Sequence, residues 1–316
     1  LKALSGQWID QFYDWSGLKY IVLDMDSSVS PTHGSQEDSA WNGPFRCTCY
    51  HPNFIFNQFG MLEACTLRPG NAHSAEGWKT LLEPVIARYA KRPIMRFFRA
   101  DTAYANPELY QTLEDARYVY AIRLRANNVL RQHIEHLLRR PVGRPSQSKI
   151  KRFFADFQYQ AALWQKARRV VAKVEWHPAE LFPRVGFVVT NMAMEADCVV
   201  RFYNRRGMAE QAIKEGKHAI NWTRLSCKRF IDNEVRLQLH ALAYNLATIL
   251  RNIDLPEEMH GWTLTSLQLK LIKIGARVVR HARTIKFQLS ETTISKTMMN
   301  TILASIARLR GPPQWT

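Results

Sequence analysis

Apolar and polar residues alternate from Tyr20 to Asp26 in "LKYIVLDMDSSVS", the period of a half-buried strand. That period places Asp24 and Asp26 on one face, with Tyr20 and Val22 behind them. "PFRCTCYHPNFIFN" and "GMLEACTLRPGN" read as two more strands, an antiparallel meander with the first. In "SAEGWKTLLEPVIARYAKR" the spacing becomes helical, with Ser74 as the candidate N-cap. "IMRFFRAD" is a fourth strand that stops at Asp101. "NPELYQTLEDA" is a short helix with Asn106 as cap and Pro107 in its first turn, and "YVYAIRLR" is a fifth strand. Three strands, helix, strand, helix, strand predicts a mixed sheet flanked by helices, the α/β class.

The pattern then loosens. Residues 126–148 are basic and end in the turn-rich "RRPVGRPSQS", while "RRVVAKVEWH" and "RVGFVVTNM" are strand-like. The chain therefore divides into 1–125, the first part of a sheet core; 126–195, a β-rich insertion; and 196–316, a helical region. The last contains a helix from about Asp197, the amphipathic "DNEVRLQLHALAYNLATILRNI", a β-hairpin in "GARVVRHARTIKFQLS" and a closing helix in "TTISKTMMNTILASIARL". The sequence starts at Leu1 rather than Met and has no leader pattern, so it reads as a fragment lacking its natural N-terminus.

Charge narrows the partner. The 316 residues carry 44 Lys+Arg against 27 Asp+Glu, a net charge of +17, and 46% are hydrophobic. A folded chain this basic points to a polyanion, and nucleic acid is the default, although a basic surplus also serves solubility alone. Between Arg117 and Arg152 ten cations face one acid, Glu135. No run approaches the ~18 apolar residues of a membrane helix. Cys47, Cys49, Cys65, Cys198 and Cys227 are odd in number and irregularly spaced. Cys47 and Cys49 share a strand face that could bind metal, but no CxxC or His pair accompanies them. Structural thiols in a reducing cytoplasm are the better reading.

Four acids stand at positions suited to chemistry: Asp24 and Asp26 at the end of the first strand, Asp101 at the end of the fourth, and Glu210 in a helix. Strand ends in open α/β sheets are where ligands bind, and two acids on one face need a counter-charge. Asp101 could equally cap the helix that follows it. In "YNRRGMAEQAIKEGK", an unbroken helix turning ~100° per residue puts Tyr203, Arg206, Glu210 and Lys217 within roughly 60° of each other. Met208, Ala209, Ala212 and Ala219 then form the packing face. Such a stripe could be a solvated face. Its residue types also suit phosphate, with the acid holding a divalent ion and the cations and phenol contacting the backbone. Carboxylates without His or Cys fit Mg²⁺ or Mn²⁺, and two such ions can clamp an in-line phosphoryl displacement.

The chain resembles insertion-sequence DDE transposases of group 1, which have a ribonuclease-H-like catalytic core. The resemblance rests on three stretches. The first is "LDMDSSVSPTHGSQEDSAWNG" leading into "CYHPNFIFNQFGMLEACTLRPGNAHSAEG", the second "RFFRADTAYANPELYQTLE". In the third, Tyr203, Arg206, Glu210 and Lys217 match the family's Y-R-E-K spacing, and "NEVRLQLHALAYNLATILR" follows as its post-catalytic helix. The resemblance implies a ribonuclease-H-like mixed sheet flanked by helices, with a β-rich, DNA-contacting insertion before the last catalytic helix. It implies Asp26 (Asp24 as close second), Asp101 and Glu210 as catalytic acids. Asp26, Asp101 and Glu210 would hold two Mg²⁺ or Mn²⁺ ions, and Tyr203, Arg206 and Lys217 would contact DNA. The activity implied is cut-and-paste transposition on double-stranded DNA, both transposon ends and target, by a homodimer on the prokaryotic nucleoid. Trp164 and Trp176 lie in the insertion, where relatives can stack a tryptophan on a flipped base; a core role is the stronger reading here. Only about twenty residues precede the first aspartate, where the family usually has a DNA-binding region. The alternative is therefore a truncated, inactive remnant that only binds DNA.

Overall fold

A computed structural model describes residues 1–140, 149–178, 180–281, 283–290 and 294–309. The chain opens with α1 (Lys2–Ser16) and β1 (Tyr20–Ser27). Next come β2 (Ser30–Pro31), β3 (Ala40–Asn42), β4 (Cys47–Tyr50), β5 (Asn53–Phe56) and β6 (Leu62–Thr66). The segment read as one strand from Pro44 to Asn57 is thus two, parted at His51-Pro52. Its first half joins a small β2-β4-β3 sheet and only the second enters the main sheet. Then follow α2 (Trp78–Tyr89), β7 (Met95–Ala100), α3 (Pro107–Asp115) and β8 (Val119–Leu124). Asn106 caps α3 as expected, its side chain accepting from the Glu108 N–H at 2.8 Å. Ser74 does not cap α2, which begins behind Gly77 at φ +68°, a left-handed backbone that glycine adopts without a Cβ penalty.

The β-rich segment supplies α4 (Asn128–His133), α5 (Glu135–Leu138), β9 (Lys151–Tyr159), β10 (Arg168–Trp176) and β11 (Arg184–Thr190). Most of the turn-rich stretch before β9, residues 141–148, lies outside the described residues. These strands continue the main sheet, because β11 pairs antiparallel with β8. The eight-stranded order is β6-β5-β1-β7-β8-β11-β10-β9. Its first five strands form a mixed sheet: β6, β5 and β1 are antiparallel, and β1, β7 and β8 run parallel.

The helical region has α6 (Ala196–Asn204), α7 (Gly207–Glu215), a π-helical turn at Gly216–Ile220, α8 (Phe230–Asn252) and α9 (Leu264–Leu267). It ends with the hairpin β12 (Ala276–His281) and β13 (Thr284–Leu289), and α10 (Lys296–Leu309). No helix among the described residues is long and apolar enough to cross a membrane.

The sheet has a packed face on each side. Ile21, Leu23 and Met25 join residues of α1, α2 and α3 in the larger core. On the other side Phe54, Phe56 and Leu62 pack on α7 and α8 around Trp222, which stacks on Phe54 at 4.8 Å. Trp164 and Trp176 are both buried in the larger core, Trp164 edge-on to Tyr110 and Tyr159, so both act in packing. The edge strand β6 is finished by α8. Asn245 accepts from the Leu62 N–H at 2.7 Å and donates to its carbonyl at 2.8 Å, and Gln238 donates to the Cys65 carbonyl at 3.0 Å. Backbone groups left open by the sheet are thereby satisfied by a helix that carries no strand.

Candidate active site

The even positions of β1 point away from the larger core, toward α6 and α7. Asp24 is almost wholly buried and closes a bidentate ion pair with Arg99 of β7, both bonds 2.6 Å. Arg99 also donates to the Phe202 carbonyl at 2.9 Å and lies over the Phe202 ring, so the pair fastens the end of α6 to the sheet. Burial pushes the Asp24 carboxyl up to about 6, against the opposing pull of Arg99. Both carboxylate oxygens of Asp24 are thus engaged by Arg99.

Asp26 lies one pleat further along, at the mouth of the sheet. Its Oδ2 accepts from Arg206 Nη1 at 2.9 Å, and the other nitrogen of the same fork, Nη2, reaches Glu210 Oε1 at 2.5 Å. Arg206 thus joins two of the expected acids. Burial raises Asp26 to about 6; Arg206 opposes that rise and the nearby charge of Asp101 adds to it. Asp101 follows directly on β7, the strand parallel to β1, which places both aspartates at neighbouring strand ends. Its side chain accepts from the Ala103 N–H at 2.9 Å and caps the 3₁₀ turn Thr102–Tyr104, so its capping role and its place beside Asp26 coexist. Beneath them Tyr104 is fully buried, donates to Asn53 Oδ1 at 2.7 Å and has its phenol pushed up by burial.

The stripe drawn for Tyr203, Arg206, Glu210 and Lys217 assumed one regular helix. The structure breaks that helix. Arg206 and Ala209 bond to carbonyls three residues back, at Tyr203 and Arg206, which tightens the turn between α6 and α7. At its far end the π turn Gly216–Ile220 loosens the coil instead. Ala209, Ala212 and Ala219 are buried as expected, but Met208, expected on the packing face, is exposed. Tyr203 is buried, with its phenol raised by desolvation and Arg206 beside it. It lines a cavity of about 240 Å³ together with Arg123, Lys173, Arg184 and Asn204. Glu210 is half exposed. Lys217 is half-buried on the π turn, where desolvation lowers its pKa. Arg206 therefore joins Asp26 and Glu210, with Asp101 near Asp26 and Tyr203 beside Arg206.

Carboxylate oxygens of Asp26, Asp101 and Glu210 are hard donors, and the mutual repulsion of the aspartates calls for positive charge; both suit a divalent ion. As the side chains stand, Arg206 supplies that charge, and among the described residues no three His, Cys, Asp or Glu converge tightly enough to hold a metal. Cys49 is hydrogen-bonded to Cys47, and burial pushes its thiol up to about 12.

Several site residues escaped the sequence reading. Arg99 carried a signal, an arginine in the apolar strand "MRFFRA" two residues before Asp101. Glu215 accepts from Arg251 at 2.7 and 2.8 Å and ties α7 to α8; no local pattern marks it.

The family model described as "Transposase DDE domain group 1" matches residues 1–311. No curated protein matches the chain. Among solved structures, the piggyBac transposase synaptic complex with hairpin DNA, seen by cryo-EM, aligns with a TM-score of 0.45 at 12% identity. The alignment covers 93% of this chain and 55% of that one, so the chain spans about half the length of that transposase.

Proposed function

The chain belongs to the group 1 DDE transposase domain family, and on that premise we propose that it is the catalytic part of a DNA transposase working by cut and paste. Water attacks a phosphodiester at a transposon end and frees a 3′-OH, which then attacks target DNA. The observation that supports this most directly is the gathering of Asp26, Asp101 and Glu210 at the sheet mouth around Arg206.

In this reading Asp26, Asp101 and Glu210 would hold two divalent magnesium or manganese ions, which would supply Lewis acidity toward the phosphodiester. Arg206 is held where a scissile phosphate would lie between the two acids it joins, and its planar fork is suited to phosphate oxygens. Tyr203 offers its phenol at the cavity shared with Arg123, on the path of the same strand. Lys217 contacts the backbone further along. The basic stretch of sequence between Arg117 and Arg152 follows DNA away from the site, with binding that weakens as salt rises. The protein works as a homodimer on paired ends, in the reducing cytoplasm of a prokaryote.

The test is cleavage of duplex DNA carrying the sequences that flank its reading frame. With magnesium, the wild-type protein nicks and then transfers strands. Asp101→Asn binds the duplex with near wild-type affinity and does not nick it. Full cleavage by that variant removes Asp101 from the chemistry, and binding without nicking by the wild type favours a remnant that only holds DNA.

A further inference from the structure

The β12–β13 hairpin has no part in the site above and is built unlike the rest of the fold. Its two strands pair only with each other, and nearly every side chain on both is exposed. A lone two-stranded ribbon is marginally stable in water, so its exposed faces call for a partner.

The register sorts the side chains. Val278 opposite Phe287 and Arg280 opposite Ile285 share one face with Ala276 and Leu289. Arg277 opposite Gln288, Val279 opposite Lys286 and His281 opposite Thr284 make the other. One face is thus mainly apolar, and the other is rich in hydrogen-bond donors. Charge decides what the second face suits. From Met259 to Ser290 the sequence has six cations, Lys270, Lys273, Arg277, Arg280, Arg283 and Lys286, and no Asp or Glu. Among the described residues no carboxylate pairs with Arg277, Arg280 or Lys286. A second copy of the hairpin would bring like charges together. A polyanion would not, and the major groove of B-DNA admits a two-stranded β-ribbon.

We infer that this hairpin is a second double-stranded DNA interface, with the Arg277–Lys286–Gln288 face against the duplex and the cations on phosphates. The inference rests on the transposase reading and adds to it an anchoring surface separate from the acids. Gln288 and Thr284 can both donate and accept, so the ribbon can touch base edges as well as the backbone.

The experiment is titration of a generic fluorescent duplex at several salt concentrations. It uses the whole chain, as wild type, as Arg277→Gln with Lys286→Gln, and as Val278→Thr with Phe287→Thr, with mass measured for each. The exchanged side chains are exposed, and circular dichroism checks that each variant folds. The basic-face variant is expected to bind several-fold more weakly, with its salt slope reduced by about two, roughly one per lost phosphate contact. The apolar-face variant is expected to match the wild type. An unchanged slope in the basic-face variant overturns the ribbon and leaves the transposase reading standing. Weakened DNA binding in the apolar-face variant with a fall in mass makes the hairpin a protein interface instead. If the wild type binds no duplex, both readings fail together.

Discussion

Asp24 and Arg99 face each other in the parallel β1–β7 register and form an ion pair whose side chains are 1% and 3% exposed. A buried pair of this kind is expensive to break and cheap to replace. Asp24→Ala leaves a buried guanidinium and is expected to cost about 3–5 kcal/mol in urea unfolding. Asp24→Leu combined with Arg99→Met restores most of that loss. With both oxygens of Asp24 on Arg99, Asp26 is the expected metal ligand of the two. Manganese titrated into Asp24→Asn should bind as in wild type, whereas Asp26→Asn binds weakly. Metal binding lost from a folded Asp24→Asn would reverse the two roles.

That relationship also shows what the sequence could tell. Period two placed Asp24 and Asp26 on one face, since a strand fixes that locally. That Asp24 is engaged by Arg99, a contact 75 residues away, is something no local pattern encodes. The meander and the β7–α3–β8 unit were legible because their signals lie inside the segments. By contrast, the joining of β11 to β8 is a pairing across more than sixty residues. The break between α6 and α7 escaped because the helical wheel assumed a constant turn, and the tight bonds at Arg206 and Ala209 change it; Met208 faces water as a result. Lys217 lies on a π turn, which departs from the constant turn in the opposite sense.

Arg206 neutralises Asp26 and Glu210 when no ion is bound, so it and a divalent ion serve the same charges. Arg206→Ala should lower the melting temperature without metal, because the Asp26, Asp101 and Glu210 charges are left unscreened. Added magnesium should then raise it by more than in wild type. The check is thermal unfolding of both proteins with and without magnesium. An equal rise in the two would mean that Arg206 and the ion do not share these acids.

The raised carboxyl of Asp26 sets a pH dependence with a definite sign. Its folded value is about 6, above the roughly 3.9 of an unfolded aspartate, so the native state binds the extra proton between those values. The stability it contributes is full below about 4 and is lost as pH rises through 6. Asp26→Asn cannot titrate there. From pH 4 to pH 7 the stability difference should move in favour of the variant by on the order of 2 kcal/mol. Unfolding by urea at the two pH values measures it. A move toward the wild type would mean that the pull of Arg206 outweighs burial.

Gly216 ends α7 against the face of Trp222, and a Cβ there would meet the indole ring at 2.2 Å. Trp222 cannot retreat, being fully buried and stacked on Phe54 with Tyr244 at its side. The backbone at the start of the π turn must move instead, and it carries Lys217 with it while Glu210 lies two turns upstream. Gly216→Ala is expected to destabilise the fold by about 1–3 kcal/mol, the range for overpacking a filled core. Trp222→Leu in the same chain makes room for the added methyl, so the alanine should cost less in that background. Urea unfolding of the two single variants and the double variant measures the coupling. Additive losses would mean that the strain arises somewhere other than this contact.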